Sequence, residues 1–183
     1  MPESSKSGAI VVELRKCLAC RSCEIACAKA HAGVENILDA IMEEIPLMPR
    51  VKVIAAGGTA VPVQCQHCED APCVAVCPSG ALYKDEETGK TLTAPEKCIG
   101  CHACIVACPF GAVAWSTEEK RIIKCDLCEG IIEEGEDPRC VTACPTHCRK
   151  VVDLDQLVKE RQLKAAGQAV RAAEEQEKAT VEN

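Results

Sequence analysis

Apolar residues along this chain come in short runs separated by glycine, proline and charge. Ile10-Val11-Val12 reads as a strand near the start. Val51-Lys52-Val53-Ile54 and Ala60-Val61-Pro62-Val63 flank Gly57-Gly58, which is a hairpin pattern. Ala81-Leu82-Tyr83 and Thr91-Leu92-Thr93 flank Glu87-Thr88-Gly89 and predict a second hairpin. Ala112-Val113-Ala114-Trp115 and Arg121-Ile122-Ile123, on either side of Ser116 to Lys120, predict a third. Pieces such as Ile105-Val106-Ala107 suit single helical turns, and Val34 to Glu44 predicts an inserted helix ending before Pro46. From Asp153 the composition turns to alanine, glutamine and charge. This predicts a helical tail capped near Asp153 or Asp155, with Leu154, Leu157 and Val158 as one turn of apolar face. The tail is polar beyond Gly167, and reads as a solvated segment or a partner-binding arm.

Between these elements lie four cysteine runs holding sixteen of the seventeen cysteines. The first is Cys17, Cys20, Cys23 and Cys27, and the third repeats its spacing as Cys98, Cys101, Cys104 and Cys108. The second is Cys65, Cys68, Cys73 and Cys77. The fourth is stretched by the acidic segment Glu129 to Arg139, as Cys125, Cys128, Cys140 and Cys144. Three thiolates on a tight loop with a fourth a few residues on, often followed by proline, is the ligand spacing of a 4Fe–4S cluster in two-cluster ferredoxins. Sixteen ligands make four clusters. Cys77, Cys108 and Cys144 precede proline, whereas Cys27 precedes Ala28, where a less restrained backbone is expected.

Composition narrows the choice. Tyr83, Phe110 and Trp115 are the only aromatic residues among 183, so an ordinary core would be thin, and ligand–metal bonds would supply folding free energy in its place. A disulfide scaffold requires an oxidising compartment. The short run Ala9 to Val12, broken by Glu13, is too short for a secretory leader, there is no twin arginine, and no stretch suits a bilayer. The expectation is a cytoplasmic chain without a membrane span. Its formal charge of −7 falls to about −15 with four clusters of −2 each, which disfavours nucleic acid and favours neutral or basic docking partners. Zinc could take CxxC pairs, but zinc sites usually stop at two pairs. No nucleotide loop, paired carboxylate site or nucleophile elbow is present, so no catalytic residues are expected.

In two-cluster ferredoxins the fourth cysteine of one run ligates the other cluster. That rule pairs the second run with the third and the first with the fourth. Cluster 1 takes Cys17, Cys20, Cys23 and Cys144, and cluster 2 takes Cys65, Cys68, Cys73 and Cys108. Cluster 3 takes Cys98, Cys101, Cys104 and Cys77, and cluster 4 takes Cys125, Cys128, Cys140 and Cys27. The fold class is then α+β, with two ferredoxin-like modules, one inserted in the other, small hairpins, short helices and a C-terminal helical tail. The outer module spans 8–59 and 116–152, the inserted one 60–115, and the tail 153–183. Cys148 reads as a small buried hydrophobe beside a cluster. His67 and His102 are placed to donate a ring N–H towards sulfur, and His31 and His147 read as surface or cap residues. Loop N–H groups should point at the sulfurs, and Ile25, Val74, Val76, Ile99, Ile105 and Val106 should exclude water.

With these motifs the chain resembles the four-cluster iron–sulfur subunits of molybdenum and tungsten oxidoreductases, formate dehydrogenases, hydrogenases and carbon monoxide dehydrogenases. Residues 64 to 73, Gln-Cys-Gln-His-Cys-Glu-Asp-Ala-Pro-Cys, resemble that family's second run. Residues 17 to 27, Cys-Leu-Ala-Cys-Arg-Ser-Cys-Glu-Ile-Ala-Cys, are most similar to its soluble branch, which serves tungsten enzymes of the aldehyde oxidoreductase type and carbon monoxide dehydrogenases. The resemblance implies an electron-transfer subunit without a catalytic site. It would pass single electrons between a large tungsten or molybdenum pterin subunit and a further electron-transfer protein or flavin subunit. The alternatives are an electron carrier of carbon monoxide dehydrogenase, hydrogenase or formate dehydrogenase, a free polyferredoxin and, more distantly, a structural zinc protein.

Overall fold

Four two-stranded antiparallel ribbons carry the cysteine loops, in a computed structural model that describes residues 8–133 and 135–181. The three hairpins expected from alternation are present. Strands β2 (Lys52–Ala56) and β3 (Thr59–Val63) turn through Gly57 and Gly58, both at positive φ, as a two-residue hairpin loop demands. Strands β4 (Leu82–Lys84) and β5 (Thr91–Thr93) form the second ribbon, and β6 (Val113–Ser116) with β7 (Arg121–Lys124) the third. The fourth ribbon joins the ends of the fold. Strand β1 (Gly8–Val12) pairs with β8 (Arg149–Asp153) in the register Gly8↔Asp153 to Val12↔Arg149. The polar composition of residues 149–153 gave no sign of that strand.

Helix α1 (Ser22–Ala32) follows the first two ligand positions of run one and ends at Gly33 in the left-handed region. It runs on past Cys27 because Ala28, unlike proline, continues a helix; the freer backbone expected there is instead regular helix. Helix α2 (Ile37–Met42) is shorter than the expected Val34–Glu44, because the Asn36 side chain accepts from the Leu38 N–H and starts the helix there. Single-turn helices α3 (Pro72–Ala75), α4 (Ala103–Ala107) and α5 (Arg139–Thr142) lie within the other runs. Helix α6 (Leu154–Val181) is capped by the Asp153 carboxylate, which accepts from the N–H groups of Asp155 and Gln156. Its Leu154 and Val158 are exposed, so the expected apolar turn is not covered within the chain.

Burial divides into two clusters. One gathers Ile10, Cys23, Cys27, Val51, Val53, Cys140 and Val141, where α1 packs on α5. The other gathers Cys73, Leu82, Cys104, Val113 and Ile122, with Trp115 packed against it, where α3 packs on α4. Runs one and four thus supply the first core and runs two and three the second. Among the described residues no helix is long and apolar enough to cross a membrane.

Candidate iron–sulfur centres

The third residue of the first CxxC pair in each run adopts positive φ: Ala19, His67, Gly100 and Leu127. A chain that must bring two thiols to one side within four residues reverses there, and only at Gly100 does the sequence carry a residue with no steric cost. The residue three beyond the cysteine of each Cys-Pro pair repeats the device at Gly80, Gly111 and His147, each donating its N–H to the carbonyl of Cys77, Cys108 or Cys144. A short 3-10 turn precedes both evenly spaced runs, Leu14–Lys16 before Cys17 and Pro95–Lys97 before Cys98. At Gly100 an added Cβ would lie 2.9 Å from Cη2 of Trp115, whereas at Gly80 nothing stands within 4 Å. Gly100→Ala should therefore be penalised by about 2–3 kcal/mol and release iron to a chelator faster than Gly80→Ala, where only the left-handed backbone is penalised, by about 1 kcal/mol.

Cys17, Cys20, Cys23 and Cys144 line one cavity, together with Cys148 and Arg149. Cys27, Cys125, Cys128 and Cys140 are close enough that their charges oppose one another's ionisation, which adds to the burial that raises Cys125, Cys128 and Cys140, with Cys128 reaching about 11. Burial and then the charges of Cys65 and Cys108 raise Cys73. Burial also raises Cys104, with Cys77, Cys101 and Cys73 adding repulsion. Cys98 packs against the same core as Cys104 and Cys77. Cys68 is half-buried, its carbonyl accepting from Lys84 Nζ at 2.6 Å. The raised thiols of Cys73, Cys104, Cys125, Cys128 and Cys140 hold their protons until a metal displaces them. Among the described residues no three His, Cys, Asp or Glu side chains converge tightly enough to hold a single metal ion.

Whether these residues suit a sulfur-rich cluster is tested by their donors. Backbone N–H groups reach thiol sulfur at Cys27 (Arg50, 3.2 Å), Cys65 (His67, 3.4 Å), Cys108 (Ala112, 3.4 Å) and Cys125 (Leu127, 3.5 Å). The His67 ring is more telling. Its Nδ1 accepts the Thr91 N–H at 3.1 Å, which places the proton on Nε2, and Nε2 is buried with no partner. Burial, then the ammonium groups of Lys124, Lys84 and Lys90, push its pKa down to about 3, so the ring is neutral. A buried N–H without an acceptor beside Cys65 and Cys68 fits a group carrying sulfide. His102 stands edge-on to Trp115, ring centroids 4.4 Å apart.

Several participants were not visible in the sequence. Lys84 and Lys124 point their ammonium groups at loop carbonyls: Lys84 at those of His67 and Cys68, Lys124 at those of Thr91 and Cys125. His31, expected at the surface, is buried, because its position four residues after Cys27 on α1 turns it inward. Its Nδ1 lies 2.8 Å from the Cys27 carbonyl and its Nε2 3.0 Å from Asp126 Oδ1, while Arg50 Nη1 meets Asp126 Oδ2. Burial opposes both charges, but the His31 and Arg50 contacts hold Asp126 down to about 2, and the Asp126 and Cys27 contacts lift His31 to about 9. His147 is exposed and Cys148 buried, as expected.

The expected water-excluding residues divide. Val74 and Ile105 pack on the inner core, but Ile25, Val76, Ile99 and Val106 are exposed, Val106 by 86%. In the single turn of α4 the inward positions are taken by Cys104 and Ile105, so Val106 faces out. Leu18 and Phe110 join them on the surface.

Repeated cysteine loops with inward N–H donors define an iron–sulfur protein, and the chain belongs to the 4Fe–4S dicluster domain family, whose pattern matches residues 58–154. That match spans runs two to four. The chain is 41% identical to an iron–sulfur protein of Rhodospirillum rubrum, over 85% of this chain and 87% of that one. It is 35% identical to the electron transport protein HydN of Escherichia coli, over 86% and 96%. It is also 35% identical to the thiosulfate reductase electron transfer subunit PhsB of Salmonella typhi, over 78% and 73%.

Proposed function

We propose that the chain is a non-catalytic subunit carrying four 4Fe–4S clusters in a cytoplasmic oxidoreductase complex. When bound, each cluster supplies a site that accepts or releases one electron. Cys17, Cys20, Cys23 and Cys144 would hold the first, and Cys65, Cys68, Cys73 and Cys108 the second. Cys98, Cys101, Cys104 and Cys77 would hold the third, and Cys125, Cys128, Cys140 and Cys27 the fourth. What carries this reading is that Cys144 lines the cavity of Cys17, Cys20 and Cys23, and that Cys27 stands near enough to Cys125, Cys128 and Cys140 to oppose their ionisation.

Runs one and four would make an outer module (8–59 and 116–152) around an inserted one (60–115), with the ribbons β2–β3 and β6–β7 crossing the two joints. Within them, His67 would donate its free N–H to sulfide, Lys84 and Lys124 would hold loop carbonyls in place, and backbone N–H groups would stabilise thiolate charge. The exposed apolar residues Leu18, Ile99, Val106 and Phe110 beside the ligand loops would seat partner proteins, since electrons leave most readily where a cluster lies near the surface. Relatives named as electron transport proteins and as an electron transfer subunit of a reductase support the role. The resemblance of residues 17 to 27 favours a tungsten or molybdenum pterin enzyme as catalytic partner, with a further electron-transfer or flavin subunit as second partner.

Anaerobic purification from the native host, followed by metal analysis of what copurifies, tests this. About sixteen iron atoms per chain with tungsten or molybdenum in a larger subunit is the expected result. Nickel in the partner would move the assignment to carbon monoxide dehydrogenase or hydrogenase, and iron with no second protein to a free polyferredoxin. About eight iron atoms, or zinc in their place, would sink the four-cluster reading.

A further inference from the structure

Arg149 is the largest fully buried side chain among the described residues, at 1% exposure. Burying a guanidinium without compensation costs several kcal/mol, so its partners are informative. Nη2 donates to Gln64 Oε1 at 3.3 Å, and Gln64 is itself buried. The same nitrogen lies 3.4 Å from Cys140 Sγ. Nε and Nη1 are buried with no acceptor, and among the described residues no carboxylate pairs with the group. The other cations near the cysteines differ: Arg50 is paired with Asp126, and Lys124 is satisfied by two carbonyls.

Arg149 opens strand β8, opposite Val12, and its side chain lines the cavity of Cys17, Cys20, Cys23 and Cys144 while touching Cys140 of the neighbouring set. One permanent positive charge therefore stands between the two outer cysteine sets, both of which would carry net negative charge when loaded. Each electron added to either set increases its attraction to that charge, and N–H donation to sulfur favours the reduced form as well.

We propose that Arg149 is the residue that sets the reduction potentials of both outer clusters, holding them above the value their burial alone would give, chiefly through its permanent positive charge, with its free Nε–H and Nη1–H adding to it. This rests on the four-cluster assignment above. Arg149 acts on the clusters through charge and hydrogen bonds and takes no part in ligation, since all sixteen proposed ligands are cysteine.

The test is a redox titration followed by EPR on the full chain and on R149Q and R149K, with iron counted in each. With about sixteen iron atoms in the wild type, R149Q should lose at least tenfold in reduced-to-oxidised ratio at a fixed potential for two of the four clusters, about 59 mV for one electron. The other two should not move. R149K, which keeps the charge, should stay much closer to wild type. Iron loss from R149Q with retention in R149K would support the same requirement for charge. Equal shifts in both variants, no shift in R149Q, a uniform shift of all four clusters, or iron loss from both would overturn the proposal. A wild-type count near eight would be a different failure, that of the four-cluster assignment, and would be seen before any variant is titrated.

Discussion

On the four-cluster assignment, Cys104→Ala should lower the iron content from about sixteen to about twelve atoms per chain and remove about a quarter of the iron–sulfur visible absorbance. Cys104 sits in the first turn of α4, 6% exposed, in the core with Cys73, Leu82, Val113 and Ile122. Replacing a thiol by a methyl there leaves a small cavity, a cost of about 1 kcal/mol that the core can absorb. Losing one of four ligands is the larger effect, because the free energy of metal binding is also folding free energy. The damage should be local. Cys73, which neighbours Cys104 but belongs to the adjoining set, is held from the other side by α3, so that set keeps its own four thiols. Cys148→Ala is the matched comparison: Cys148 is equally buried, 3.4 Å from Cys144 Sγ, yet lies outside every run, and its removal should leave the iron count unchanged. An unchanged count in Cys104→Ala, or an equal loss in both variants, would sink the ligand assignment.

The parts of this fold that could be read in the sequence are those specified locally. Each hairpin combines alternating apolar residues with a turn of its own, so all six strands from β2 to β7 are legible in short stretches of chain. Strand β8 is not, because its pairing partner β1 lies at the other end of the chain and its first residues, Arg149 and Lys150, carry charge. The same reasoning separates the site residues. Cysteine spacing is a local code for cluster loops, whereas the His31–Asp126–Arg50 contact joins three distant segments and leaves no pattern in any of them. Arg149 is hidden for another reason. Composition assigns arginine to the surface, and the contacts that Arg149 makes with Gln64 and Cys140 in the interior join segments that no local pattern links. The exposed apolar residues mislead in the opposite sense: hydrophobicity marks Ile99 and Val106 for the interior, but the inward positions are taken by cysteine.

Asp126→Ala should accelerate loss of iron to a chelator by roughly two orders of magnitude, equivalent to about 3 kcal/mol, without removing a single ligand. Asp126 lies between Cys125 and Cys128 and accepts from the Cys128 N–H at 3.0 Å, fixing the loop of run four. The same carboxylate holds His31, which is anchored to the Cys27 carbonyl, and Arg50, whose backbone N–H reaches Cys27 Sγ. One side chain thus braces the end of run one against the start of run four, which is the join that the proposed fourth set requires. Its removal leaves a buried imidazole and a half-buried guanidinium without their anion, and that penalty exceeds the value of the lost hydrogen bonds. The readout is kinetic because unfolding of a metal-loaded chain is not a two-state equilibrium. Asp126→Asn keeps an oxygen for the Cys128 N–H and should show a smaller acceleration. Glu13→Ala breaks the pairs with Lys16 and Lys150, in which the side chains are about half exposed, and such screened pairs contribute little. If Glu13→Ala released iron as fast as Asp126→Ala, the brace between the two ends would be no more than surface charge, and the coupling of run one to run four would have to come from the cysteines alone.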